Sequence, residues 1–372
     1  MNILILNWRD PKNPLSGGAE TLTMEHAKGW VKYGHRVTWF TSTFSGANKK
    51  EIIDGVEFVR RGNSIGVYLL APFFVISNRS KFDIIVDEVH CIPFFTPLYT
   101  KKPVIVFIHE VAGEIWDIMF TFPINIIGKI LENIYFKIYR KYDFWTVSES
   151  TAAELRQRGI SEEKISIIKS VAEINQKPDV KKEKNPTYIF ISRLVKMKGI
   201  EDVIIAFFLI FQMQPLAILW IIGTGDGKYI NYLKNIVKLK GLAGHVKFWG
   251  YLPDKEKLCL LSKAHILLHA SVKEGWGLVV MEAGIIGTPS VVYNVPGLRD
   301  SVIDGKTGIV VKKNLPEELA REAVSLYNDR SMYQSMSEAG INLYGKQTWK
   351  KSSDLSLSLI NKYNNEKSNI QS

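Results

Sequence analysis

Ala270-Ser-Val-Lys-Glu274-Gly-Trp-Gly277-Leu-Val-Val-Met-Glu282-Ala-Gly-Ile-Ile-Gly287-Thr-Pro-Ser290 is the stretch on which the fold turns. An apolar run, Ile266–Leu268, leads into it, and a second, Ser290–Tyr293, follows it. Between them lie a glycine-rich turn and a helix-length segment, 277–287. The order predicts strand, turn, helix and strand, the repeat of a parallel sheet covered by helices.

The same alternation runs outward in both directions. In the first half the expected strands are Asn2–Leu6, Arg36–Phe40, Gly55–Val59, Phe82–Asp87, Pro103–Ile108, Asp143–Val147 and Ile165–Ile168. In the second half they are Thr187–Ser192, Leu216–Gly223, Val246–Trp249, Ile266–Leu268, Ser290–Tyr293 and Gly308–Val311. Helix-length segments between them include 18–33, 122–141, 149–158, 226–240, 277–287 and 315–327. A polar, proline-flanked linker, Gln176 to Pro186, separates the halves. The expected organisation is therefore α/β, two Rossmann-like doubly wound parallel-sheet domains over 1–180 and 184–345. Ligands of such sheets bind at the carboxyl ends of the strands, in a cleft between the two domains.

Composition agrees with this organisation. A chain of 372 residues with 46% apolar and 23% charged side chains supports two full cores, and disorder, collagen and coiled coil are excluded. Cys91 and Cys259 match no metal or disulfide spacing, which suits a cytoplasmic, reducing setting. The net charge of +11 divides unevenly, 24 basic and 21 acidic residues to Glu183 against 24 and 16 beyond it. The second domain is thus the one expected to hold an anionic ligand. No basic stripe interleaved with aromatics points to nucleic acid. The N-terminal apolar run reads as a buried strand, not a signal peptide. Val203–Ile222 has the length of a membrane span, but Gln212, Gln214 and Pro215 interrupt it. A helix over 199–212 and a strand over 216–222 are expected there instead.

Within the opening stretch, the free amides at the start of the helix suit a phosphate, and Gly275 and Gly277 allow close backbone approach. A carboxylate beside a phosphate repels it, so Glu274 and Glu282 are better suited to accept hydrogen bonds from sugar hydroxyls. After the Thr187–Ser192 strand, Arg193 and Lys198 offer two cations to a departing diphosphate. Ser16-Gly17-Gly18-Ala-Glu20 follows the first strand and opens a helix, and His109 ends the 103–108 strand. Gly223-Thr-Gly225-Asp-Gly227 lacks the G-x-G-x-x-G spacing of a dinucleotide site. Ser148 sits where a helix cap would, and Glu88 and His90 end a strand without an assigned role.

These motifs resemble the Glu-x7-Glu signature of retaining glycosyltransferases with the GT-B fold, the group often called family 4. The resemblance spans nearly the whole chain and is strongest over 187–310. It implies that Glu274 contacts the donor sugar and Glu282 the ribose hydroxyls, with the amides around Gly277 and Leu278 at the diphosphate. Arg193 and Lys198 would neutralise the leaving group, and His109 would face the donor sugar. Gly17, Gly18, Gly223, Gly225 and Tyr251 would line the donor site. Trp276 stands where the family usually has Phe. Pro296-Gly297 and Asp300 replace the usual Gly-Gly pair and Glu, so no catalytic role is carried onto Asp300. A helix over 346–372 would cross back onto the first domain.

The expectation is a metal-independent hexosyltransferase that uses a nucleoside diphosphate sugar as substrate, with no cofactor and no metal. No Asp-x-Asp metal clamp occurs in the sequence. The acceptor would be a saccharide or lipid-linked hydroxyl, in polysaccharide or glycoconjugate synthesis. The basic, apolar stretch Phe122–Lys141, together with Tyr68–Ile76, fits either a core helix or a docking site on an anionic membrane at the inner face of the cell. The competing functions are a noncatalytic sugar-nucleotide-binding protein and an NAD-dependent oxidoreductase.

Overall fold

Every expected strand forms, because each is a short β-branched or aromatic run; the inner ones are buried on both faces, and the edge strands Ile165–Ile167 and Val246–Gly250 are partly exposed. In the computed structural model, residues 1–363 are described in full and the helical backbone is followed to residue 371. The tail beyond Asn364 lies outside the fully described residues. The chain divides into two compact units, one of residues 1–170 with the segment from Trp349 onward, the other of Val171–Thr348.

The first unit begins with β1 (Asn2–Leu6), α1 (Gly18–Lys32), β2 (Arg36–Thr41), β3 (Lys50–Ile53) and β4 (Val56–Arg60). It continues through α2 (Gly66–Ser77), β5 (Ile84–Val89), β6 (Val104–Ile108), α3 (Ile115–Met119) and α4 (Ile124–Tyr139). β7 (Asp143–Thr146), α5 (Glu149–Gln157) and β8 (Ile165–Ile167) complete the sheet, whose order is β3-β4-β2-β1-β5-β6-β7-β8. β3 was not expected and is the exception to the parallel pattern, an edge strand antiparallel to β4. Its signal was Asp54-Gly55, where φ of 49° and 83° permits a tight hairpin. Ser148 caps α5, its hydroxyl accepting the Thr151 N–H.

In the second unit the elements are β9 (Thr187–Ile191), α6 (Ile200–Met213), β10 (Ile218–Ile222), α7 (Gly227–Leu239), β11 (Val246–Gly250) and α8 (Asp254–Lys263). They continue as β12 (Ile266–His269), α9 (Leu278–Ile285), β13 (Ser290–Val292), α10 (Leu298–Ser301), β14 (Gly308–Val310), α11 (Pro316–Asn328) and α12 (Arg330–Tyr344). The sheet order is β11-β10-β9-β12-β13-β14, the doubly wound 3-2-1-4-5-6 arrangement. The Val203–Ile222 stretch falls into α6, a turn and β10. No helix among the described residues is long and apolar enough to cross a membrane.

The unit boundary lies ten residues before the expected limit at 180. The linker's end belongs to the second unit because Lys182 is pinned there, its ammonium donating to the Ala264 carbonyl (2.6 Å) and Thr288 Oγ1 (2.7 Å). α13 (Trp349–Gln371) joins the first unit by packing on α1. Ser356 Oγ meets His26 Nδ1 (2.8 Å) and accepts the Trp30 indole N–H (2.9 Å). At the crossing, a Cβ on Gly29 would lie 2.4 Å from Ser353 Cβ, so only glycine admits this approach.

Candidate functional site

Each sheet reverses its winding once, between β9 and β12 in the second unit and between β1 and β5 in the first. Loops leaving adjacent strands diverge at such a point and open a crevice at their carboxyl ends. Glu274, Lys198, Arg193 and Gly277 lie at the second point and His109, Gly17 and Gly18 at the first, whereas Gly223, Gly225 and Tyr251 lie on the loops after β10 and β11.

In the second unit, the loop after β9 is pressed onto the end of β12. Gly199 has φ 67°, and a Cβ there would lie 1.8 Å from the Ala270 carbonyl oxygen. The Val272 N–H donates to the Met197 carbonyl across the same seam (2.9 Å). This contact brings Lys198 Nζ to 2.7 Å from Glu274 Oε1, a pair with side-chain exposures of 9% and 13%. Ser271 Oγ donates to the same oxygen (2.9 Å), and His269 Nε2 lies 3.5 Å away. Burial alone would raise the Glu274 pKa, but Lys198, His269 and Ser271 together hold it below the ordinary carboxylate value. Burial and Lys198 push His269 down to about 4, so at neutral pH it is an uncharged ring beside a carboxylate–ammonium pair.

α9 starts at Leu278 with Gly277 as a left-handed N-cap and no side-chain cap. The Val280 N–H is taken by the Gly277 carbonyl (3.0 Å), and no side chain caps the Leu278 and Val279 amides at the positive dipole end, which suits an anion. Gly297 fixes the floor. With φ 81°, a Cβ there would sit 2.1 Å from the Glu274 carbonyl oxygen. The Gly297 N–H donates to Asp300 (2.9 Å), so Asp300 caps α10. Gly223 and Gly225 press the β10 turn against the Ser192 and Leu194 carbonyls, which places the Arg193 loop. Arg193 itself is exposed, and Tyr251 is 76% exposed after β11.

Glu282, on α9, pairs with Lys257 of α8 (2.9 Å), which also reaches Asp254 (2.9 Å). Burial keeps Glu282 above its ordinary pKa despite that lysine. Trp276 points into the core, donating to the Met281 thioether. Sequence reasoning missed His269, Ser271 and Lys257. The first two stand within five residues of Glu274, whereas Lys257 is placed only by the packing of α8 on α9.

In the first unit, Gly17 caps α1, but its N–H donates to Glu20 Oε2 (2.7 Å), and Glu20 Oε1 pairs with Arg9 (2.9 Å). The amide of Gly17, a residue expected to line the donor site, is thus occupied by the helix's own third residue, a capping-box arrangement.

His109 follows β6, its Nε2 2.8 Å from Glu88 Oε1. His90 Nε2 reaches the same oxygen (3.1 Å), and Thr23 Oγ1 donates to Oε2 (3.0 Å). Burial would raise Glu88, yet the two histidines hold it down to about 2. β5 and β6 pair in register Glu88↔Phe107 and Val89↔Ile108, which brings the two strand ends level. The three ligand atoms of Glu88, His90 and His109 lie within 4.8 Å of one another, close enough for one divalent cation. The expectation of no metal therefore calls for a direct test.

Comparison with known proteins follows these halves. Residues 16–171 match the family described as Glycosyltransferase Family 4, and residues 171–343 match Glycosyl transferases group 1. The poly(glycerol-phosphate) alpha-glucosyltransferase of Bacillus subtilis is 34% identical over 161 residues, 42% of this chain and 23% of that one. The first such relatives are matched over only 23% to 49% of their own length. Among solved structures, a sucrose-phosphate synthase of Thermosynechococcus elongatus superimposes with a TM-score of 0.82 at 17% identity, covering 97% of this chain and 98% of that one. An Anabaena protein solved with UDP and glucose gives 0.77 at 18% identity, covering 96% and 99%. The structural likeness establishes the GT-B fold, and with both halves matched the chain belongs to the group 1 glycosyltransferases.

Proposed function

We propose that the protein is a retaining, metal-independent glycosyltransferase that moves a hexosyl group from a nucleoside diphosphate sugar to a hydroxyl acceptor. The observation that carries this reading is the buried Lys198–Glu274 pair at the second unit's switch point, beside the uncapped start of α9. An ammonium has three donors, so Lys198 can hold Glu274 with one and a diphosphate oxygen with the others. Arg193 and the Leu278 amide region supply the remaining positive potential. Glu274, kept ionised, accepts hydrogen bonds from donor-sugar hydroxyls, and Glu282 from the ribose. Gly223, Gly225 and Tyr251 border the nucleotide, and His109 acts on the donor sugar.

In the reaction the bond from the sugar C1 to the diphosphate oxygen breaks, and a bond from C1 to the acceptor oxygen forms on the same face. The acceptor proton passes to the departing diphosphate, whose charge the two cations stabilise. We place the acceptor among saccharides and lipid-linked hydroxyls used in polysaccharide or glycoconjugate synthesis, and the enzyme on the cytoplasmic side as a peripheral protein.

A thermal-shift panel with UDP, GDP, ADP, dTDP and NAD, run without metal, tests the donor assignment. One diphosphate at a hundred times its Kd should stabilise the fold by about 2.7 kcal/mol. A shift with NAD alone would overturn it in favour of an oxidoreductase. Nucleotide binding that persists while no sugar donor is ever turned over would instead favour a binding protein. Repeating turnover with a chelator, and again with added Zn²⁺ or Mn²⁺, tests metal independence at the Glu88 cluster.

A further inference from the structure

We infer that the outer faces of α2 and α4, with the turn between them, form a docking surface for an anionic lipid bilayer. The inference deepens the membrane-side acceptor proposed above and rests on that reading for its purpose. The surface itself stands on its own geometry.

A helix lying on a soluble sheet normally turns apolar residues inward and polar ones outward. Here both faces are apolar. α2 buries Val67, Ala71, Phe74 and Val75 in the core, yet Leu69 and Phe73 are 69% and 71% exposed on the other side, with Ile76 beside them. No charged residue occurs between Asn63 and Asn78. α4 buries Tyr135, Phe136 and Tyr139, while Ile126, Ile127, Ile130 and Ile134 form an exposed stripe at helical spacing.

The orientation of α4 is fixed from below. The Trp116 indole N–H donates to buried Glu132 (2.8 Å), and a Cβ on Gly128 would lie 2.2 Å from the Trp116 ring. The isoleucine stripe therefore cannot roll inward. The segment between the helices closes the gap, since Tyr68 stacks on Phe94 (4.5 Å) and the Thr96 N–H donates to Tyr139 OH (3.0 Å). That segment exposes Leu98, and Phe122, 80% exposed, extends the patch at the start of α4. The buried sides of both helices belong to one core cluster, so their exposed apolar faces lie on the same side of the sheet, and exposed apolar patches of this kind mark partner or membrane sites.

The rim selects the occupant. Segments 61–82, 96–102 and 115–141 hold nine Lys and Arg against two acids, of which Glu132 is buried. Lys137 stands three residues beyond Ile134 on the same side of α4, and Lys129, three beyond Ile126, pairs there with Asp117. Two copies meeting through this face would oppose like charges, whereas acidic lipid headgroups complement them. α4 spans sixteen residues and satisfies no requirement for crossing, so the helices lie in the interface.

Co-sedimentation of the full chain with vesicles is the test, using phosphatidylcholine alone and phosphatidylcholine with about one-third phosphatidylglycerol. The expected result is retention on the anionic vesicles, weaker binding to the neutral ones, and loss with added salt. Ile126→Ser with Ile130→Ser should lower retention about tenfold or more, with unchanged melting and unchanged nucleotide-induced stabilisation. Lys137→Glu with Lys141→Glu should remove the preference for anionic lipid. The inference is overturned if the chain stays in the supernatant with both vesicles, or if the serine variant sediments as the parent does. It is equally overturned if the parent is a dimer in solution that the same substitutions separate. Vesicle binding without any nucleotide-induced stabilisation would uphold the surface while removing the proposed donor chemistry.

Discussion

The two switch points solve the same electrostatic problem with different partners. Each buries one glutamate at the carboxyl end of its sheet. Glu274 is held by a lysine, a serine and an uncharged histidine, whereas Glu88 is held by two histidines and a threonine. An ammonium brings a full charge and donors to spare, whereas imidazoles bring single ring nitrogens to the carboxylate. The second unit therefore offers a permanent ion pair suited to a diphosphate. In the first unit two imidazoles and a hydroxyl ring one carboxylate, with no ammonium beside it.

The comparison breaks most readily at the ion pair. Glu274→Gln or Lys198→Met should lower kcat by roughly 10²–10³, the usual cost of removing one charge-stabilising contact. Steady-state turnover checks this, with nucleotide binding retained in Glu274→Gln. Full activity in that variant removes Glu274 from the mechanism.

Next in size is the backbone that builds the pair. Gly199→Ala and Gly297→Ala put a Cβ against a carbonyl at positive φ, and each should destabilise the second unit by about 2–4 kcal/mol. Calorimetric melting reports the loss, and unchanged melting means the seam is softer than its geometry.

The third test uses pH. His26 and His269 are buried uncharged, with pKa values pushed down by burial to about 3 and about 4. The unfolded chain takes up their protons near pH 6.5 while the folded chain does not, so stability falls as pH drops below 6.5. Each such histidine costs about 1.4 kcal/mol per pH unit until its folded pKa is reached. Glu88 acts lower. Its depressed pKa contributes stability that is present above 4.5 and lost as pH falls towards about 2. Glu88→Gln should therefore be less stable than the parent above pH 4.5 and should lose less on acidification below it. The same variant should shift the acidic limb of kcat/KM if Glu88 orients His109, a movement that a purely structural residue would not cause.

The smallest effect is expected where α13 meets α1. Ser356→Ala leaves the Trp30 indole without its acceptor and should cost about 1–3 kcal/mol in melting experiments, with little change in kcat.

Much of the fold is written locally in the chain. The strands are dense β-branched runs, and periodicity marks their ends to within a few residues. β3 was missed because it is a four-residue edge strand whose only sequence mark is the Asp54-Gly55 turn. The α2 and α4 faces were read as either core or membrane surface. Composition alone cannot say which side of an all-apolar helix meets the sheet.

By itself the sequence determined two doubly wound units, the Glu274–Glu282 spacing and the cations Arg193 and Lys198, because these depend on local pattern and on short loops after strands. Tertiary structure decided the rest. It paired Lys198 with Glu274 across 76 residues, took the Gly17 amide for Glu20, and joined Glu88 to His109. These contacts join residues on different strands and loops, and only sheet order and register bring such residues within hydrogen-bonding distance.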